Sequence, residues 1–280
     1  MNITTIGHVC IDNNISEHSS YRGAGGPAIF MQKILSQFPD VNLKIIAPYG
    51  IDFLPFIKKL PIYPQNKIQA KTLMYENITH GKHRTQRAFN RKCAKPIKID
   101  DKIINIIKLS DIIIFAPLTP DYSPKYIQQA LSYAKKGVLK ILLAQGYYRN
   151  FKNINDVIHR DFIESEILLP MFNFVILSEH DDKNINSKIK QLSQKTKIIL
   201  TLGDKGSLYI YRNNTISIST NPVSLNKIVD SVGSGDIFSA SLAYKYFLTK
   251  NIRRSLKFAN SIARQCLFHT SNDLRLNLAK

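Results

Sequence analysis

The chain has little of what would mark it as secreted, membrane-spanning or metal-stapled. Its three cysteines, Cys10, Cys93 and Cys266, stand far apart and form no C-x-x-C pair. That spacing argues against a disulfide framework or a structural zinc, and for a reducing compartment. The longest apolar runs, IIIFAP and ILLA, fall far short of the roughly 20 residues a membrane helix needs. The opening MNITTIGHVCID has no basic n-region and reaches Asp12 before a signal core could form, so a cytoplasmic location is expected. Acid is scarce too: 20 Asp and Glu stand against 39 Lys and Arg, a formal charge of +19. Charge of that size raises nucleic acid as a partner. Yet no five basic residues run together, and the densest patches, GKHRTQRAFNRK and KNIRR, are short. The expectation is a basic surface that attracts a polyanionic small ligand, with neither nucleic acid nor membrane as partner.

What is present is a regular alternation. With 280 residues and 44% apolar content, the chain can bury a sizeable core. The runs ITTIGHVCI, LKIIAPYG, DIIIFAP, VLKILLA, FNFVILS and KIILTLG are continuous rather than alternating, as strands covered on both faces should be. Between them AIFMQKILSQF, DDKIINIIKL, SPKYIQQALSYAKK and INDVIHRDFIESEIL carry apolar residues at helical spacing. The pattern predicts a mostly parallel α/β sheet flanked by helices, with ligands at the carboxyl ends of its strands. Two segments break the rhythm. GSLYIYRNNTISIST reads as a hairpin around Asn213-Asn214. Residues 67–92, with 13–22, read as strands projecting from the body. One domain, 1–280, with a small β lid is expected.

The stretch DSVGSGD, Asp230 to Asp236, precedes the apolar helix pattern IFSASLAYKYFL. A small-residue turn that ends in an acid on a helix's first turn is either a helix cap or an anion site with a base beside it. Seven residues leave both open. In order along the chain stand Gly7 and Asp12 in IGHVCID, Gly25-Gly26 in GAGGPAIF, Thr201, Gly203 and Gly206 in TLGDKG, and Asn260 in FANSIA. GAGG is not the G-x-G-x-x-G of a dinucleotide site, and TLGDKG lacks P-loop spacing.

Together these motifs resemble the ribokinase-like, or phosphofructokinase-B, carbohydrate kinase family, whose signature is D-T-x-G-A-G-D. The resemblance runs from Ile6 to about Ala263, with Ser231 and Ser234 in place of Thr and Ala. It implies a ribokinase-like fold and an ATP-dependent kinase that phosphorylates a hydroxyl of a small sugar or polyol, a cyclitol included. A nucleoside kinase, or a non-catalytic binding protein on a kinase fold, is the alternative. By the same resemblance Asp236 is the base, and the Gly233, Ser234 and Gly235 amides form the anion hole. Asp12, Gly25, Gly26, Asp230 and Arg84 meet the acceptor, while Ser178, Thr201, Gly203, Gly206 and Asn260 meet the nucleotide. Mg²⁺ is implied, and K⁺ near the signature turn is admitted. A homodimer through the lid is also an expectation.

Three departures stand out. The family's N-x-x-E is SEHD here, so Asp181 replaces the Glu that holds Mg²⁺ through water; a helix cap is the other reading. The D-x-N-x-R that many members carry is QGYYR, which keeps only Arg149. Phe30 stands where some members have an acceptor-binding Asn.

Overall fold

The computed structural model describes residues 1–16, 20–66, 69–80, 83–152, 155–270 and 274, without the side chains of 16, 79, 80, 83, 84 and 225. The chain begins with β1 (Asn2–Gly7), β2 (Cys10–Ser16), β3 (Ser20–Gly25) and α1 (Pro27–Leu35). β4 (Asn42–Ile46), α2 (Leu54–Ile57) and β5 (Ile62–Tyr63) lead to the hairpin β6 (Met74–His80) and β7 (His83–Phe89). Then come α3 (Asp101–Leu109), β8 (Ile112–Ala116), α4 (Pro124–Ser132), β9 (Leu139–Leu143), β10 (Arg149–Lys152) and β11 (Asp156–His159). After the short α5 (Ser165–Leu168) follow β12 (Phe174–Ser178), α6 (Ile185–Leu192), β13 (Lys197–Thr201), β14 (Ser207–Tyr211) and β15 (Asn214–Ile218). Helices α7 (Ser234–Thr249) and α8 (Ile252–Cys266) end the described fold.

Nine strands form one sheet in the order β15-β14-β13-β12-β9-β8-β1-β4-β5. From β13 to β5 every pairing is parallel, and β14 and β15 close one edge antiparallel. The continuous apolar runs are explained by burial on both faces. Along β8, Ile112 and Ile114 join the core under α1, α7 and α8. Ile113 and Phe115 join the core under α3, α4 and α6. Helix α7 is buried along Ile237–Ala243, which fixes its N-terminus as a rigid point. The mostly parallel sheet flanked by helices is as expected.

A second sheet of six strands, β10-β11-β7-β6-β2-β3, stands beside it. Its own small core holds Cys10, Leu73, Tyr75, Ala88, Ala94 and Leu118. Here the sequence reading needs two corrections. INDVIHRDFIESEIL is not one helix: Asp156–His159 is strand β11, and only Ser165–Leu168 is helical. Its apolar spacing fits both periods, and pairing with β7 and β10 decides. The β14–β15 turn also falls one residue earlier, since Tyr211 pairs with Asn214 and Arg212 takes φ 54.

Candidate active site

The site is assembled on the signature turn. Gly233 caps α7 with φ 78, a left-handed conformation that costs other residues about 1–2 kcal/mol. A Cβ there would also lie 2.3 Å from the Phe30 ring. Phe30, read from the sequence as an altered acceptor position, is thus a wedge under the turn. Ser231 O accepts from the Ser234 amide at 3.3 Å, and Gly233 O from the Ile237 amide at 2.9 Å. Between them lies the open end of the helix: no side chain caps it, and a Cβ on Gly235 would meet nothing within 4 Å. A helix N-terminus of this kind attracts anions.

Asp12, buried on β2, comes to the same place by a different route. Its carboxylate packs onto Gly25, where a Cβ would fall 1.9 Å from Oδ2. Only glycine admits that approach. Gly26 follows with φ 89 and starts α1. The Cys10 thiol donates to Asp12 Oδ1 at 3.1 Å. Burial, then the charge and hydrogen bond of Asp12, push this thiol's pKa up, and the charge of Asp236 adds to the effect. Asp12 and Asp236 therefore share one neighbourhood. Asp230 accepts from the Tyr21 hydroxyl and from the Val232 amide, each at 2.8 Å. It braces the turn and ties it to the second sheet. The Arg84 side chain lies outside the described residues, though its backbone pairs with Thr79.

The residues assigned to the nucleotide gather at the carboxyl edge of the large sheet. Ser178 and Thr201 are register partners at the ends of β12 and β13. Gly203 (φ 56) and Gly206 (φ 100) shape the following loop, and a Cβ on Gly206 would strike Ile218 O at 2.1 Å. Buried Asn260 on α8 donates to that same carbonyl at 3.1 Å. Beside it lies an open groove of about 550 Å³, lined by Ser217–Asn221 of the β15 tail and by Arg253, Lys257, Ser261 and Arg264 of α8.

The metal reading is reshaped. Asp181 Oδ2 accepts from the Ser178 amide at 2.8 Å, so it pins the end of β12 rather than capping α6. Asp182 accepts from the Asn184 amide instead. Burial raises the Asp181 carboxyl to about 6, while the Ser178 hydrogen bond and the charge of Arg149 oppose the shift. One carboxylate with an oxygen to spare fits a magnesium ion held mainly by water and substrate phosphate. Among the described residues, His159, Asp161 and Asp182 bring ligand atoms within 4.8 Å of one another. The Lys188 ammonium already sits 2.6 Å from Asp161 and 2.7 Å from Asp182, which makes that cluster an ion-pair network.

Sequence reasoning missed Lys33. Its Nζ lies 5.2 Å from the Phe30 ring centroid, and burial lowers its pKa while the charges of Asp12 and Asp230 oppose that. The one available signal was its place three residues after Phe30 on α1. Arg149 is buried rather than reaching for phosphate: it bonds Leu118 O and Gln86 and lies 5.0 Å over the Tyr75 ring.

A glycine-opened helix end with Asp236 on its first turn and Asp12 of the second sheet in the same neighbourhood is an arrangement suited to phosphoryl transfer. Residues 94–274, more than half of the chain, match the model of the pfkB family carbohydrate kinases. The chain belongs to that family and is a phosphotransferase with an alcohol group as acceptor. No curated protein matches it. Among solved structures, it resembles a pyrophosphate-dependent kinase of the ribokinase family complexed with a pyrophosphate analog and myo-inositol. The TM-score is 0.73 at 17% identity, over 95% of both chains. Ribokinase from Arabidopsis thaliana, complexed with ribose and ATP, gives 0.70 at 17%, over 96% of this chain and 93% of that one. Adenosine kinase from Anopheles gambiae gives 0.74 at 12%, over 96% of both. At these identities the likeness speaks for the fold.

Proposed function

We propose that the protein moves the terminal phosphoryl group of a polyphosphate donor onto a hydroxyl of a small sugar or cyclitol. The observation that carries this reading is the uncapped N-terminus of α7 with Asp236 and Asp12 beside it. Asp12 holds the acceptor against Gly25-Gly26. Asp236 takes the proton from the attacking hydroxyl as the new O–P bond forms and the donor's bridging O–P bond breaks. The amides of the turn face the charge spreading over the transferring group. Asp181 would hold Mg²⁺ through water, and the ion would neutralise donor phosphate charge.

ATP along the Thr201–Gly206 loop, bordered by Asn260, is the first reading of the donor. A second has an observation in its favour. The groove beside Asn260 carries Arg253, Lys257 and Arg264, with Ile218 its one apolar side chain among the described residues, a poor seat for a flat purine. A donor without a base, such as pyrophosphate, suits it. The test is phosphorus NMR of the protein with ATP or pyrophosphate and a panel of myo-inositol, ribose, fructose and adenosine. The reading predicts transfer to a sugar or cyclitol. Donor that stays intact with every acceptor would favour a binding protein, and transfer to adenosine alone would favour the nucleoside reading.

A further inference from the structure

The second sheet carries a row of carboxamides that the reaction as described does not use. Asn14 on β2, Asn77 on β6 and Gln86 on β7 are register partners across three strands. Their amides are joined head to tail. Arg149 Nη2 donates to Gln86 Oε1 at 3.3 Å, Gln86 Nε2 to Asn77 Oδ1 at 2.7 Å, and Asn77 Nδ2 to Asn14 Oδ1 at 2.8 Å. The direction of this relay is set by its first member. A guanidinium only donates, so Gln86 must offer it oxygen and turn its nitrogen to Asn77. Asn77 must then do the same to Asn14. The row ends in the NH₂ of Asn14, a residue only 7% exposed, and that nitrogen is buried with no hydrogen-bond partner among the described residues. A buried donor of this kind calls for an oxygen.

The place of Asn14 says which oxygen. Residues two apart on a strand share a face, so Asn14 stands beside Asp12, at a spacing of about 6–7 Å. Opposite Asn14 is Tyr21, whose hydroxyl reaches Asp230 of the signature turn. This face is therefore turned toward the reacting centre. A hydroxyl can accept from Asn14, and its neighbour on the same ring can donate to Asp12, each through a hydrogen bond of about 2.8 Å. The tyrosines on this face are committed, Tyr75 to Leu118 O and Arg149, and Tyr21 to Asp230. A flat base would meet amides instead of rings.

We infer that the Asn14–Asn77–Gln86 row, polarised by Arg149, is the acceptor-reading face of this enzyme, and that it selects a ring bearing adjacent hydroxyls, a sugar or cyclitol, by donating from Asn14 to one hydroxyl while Asp12 accepts from the next. This rests on the kinase reading above and deepens it. Asn14 is the contact; Asn77, Gln86 and Arg149 are positioning residues that fix which way its amide points.

The test uses the full chain, the donor that supports transfer, and myo-inositol, ribose and adenosine as probes. Asn14→Ala should raise KM for the preferred ring polyol about tenfold or more, with the donor KM unchanged. Asn14→Asp, which keeps the shape but removes the donor, should do the same, and it carries the test if the alanine variant does not fold by circular dichroism. A probe lacking the hydroxyl read by Asn14 should be handled equally by wild type and Asn14→Ala. An unchanged acceptor KM in a folded, active variant overturns the inference and leaves the kinase reading standing, and so does a preference for adenosine. Failure of the wild type to phosphorylate any probe, with either donor, contradicts both.

Discussion

Asp181 is held by two opposing influences: the Ser178 amide favours its charge, and burial opposes it more strongly. Its carboxyl is raised from 3.8 to about 6. Between those values the native protein keeps a proton that the unfolded chain has released. Stability from this group is thus full below about 3.8 and is lost as pH rises through 6. Asp181→Asn keeps an oxygen for the Ser178 amide and carries no charge. Without Mg²⁺, its Tm should exceed that of the wild type at pH 7.5, and the gap should close near pH 4. A gap that does not change with pH would mean that burial is not what raises this carboxyl. The same variant should need more Mg²⁺ for half-maximal rate; an unchanged titration would leave Asp181 as a strand-end fastener only.

Helices α1 and α7 meet where Phe30 lies against Gly233, and the turn's shape depends on that contact. Gly233→Ala adds strain of about 1–2 kcal/mol and a methyl inside the Phe30 ring's space, so it should lower both Tm and transfer rate. Gly235→Ala meets nothing within 4 Å and should leave Tm level or slightly higher, since alanine favours a helix interior by up to about 1 kcal/mol over glycine. Equal melts for the two variants would rule out Phe30 as a wedge under the turn. Much at this scale could be read in the sequence. Strands buried on both faces write themselves as unbroken runs, and DSVGSGD announces a glycine turn before an apolar helix. The strand β11 could not be read, because residues 156–159 take their shape from pairing with β7 and β10. The amide row was equally hidden: Asn14 and Asn77 are 63 positions apart, and only the register of the second sheet makes them neighbours. Lys33 was lost inside an apolar helix pattern for the same reason.

The two sheets divide the labour of the whole molecule. In the proposed reaction the nine-stranded sheet supplies the strand ends and the helix N-terminus for an anionic donor, a ligand that the +19 charge of the chain would attract. The six-stranded sheet supplies Asp12 and the row of carboxamides proposed to face the acceptor. It is tied to the signature turn through Tyr21 and Asp230. In the proposed reaction transfer takes place where the two meet, and a junction that excludes water would keep water from taking the phosphoryl group. Asp236, on the first turn of α7, is the base of the proposed reaction. The most direct measurement compares wild type with Asp236→Asn for transfer to the preferred acceptor, alongside donor affinity by calorimetry. The turn and its amides remain in the variant, so donor binding should be retained while turnover falls by about 10²-fold or more. A variant that binds donor and keeps most of its turnover would contradict the central claim.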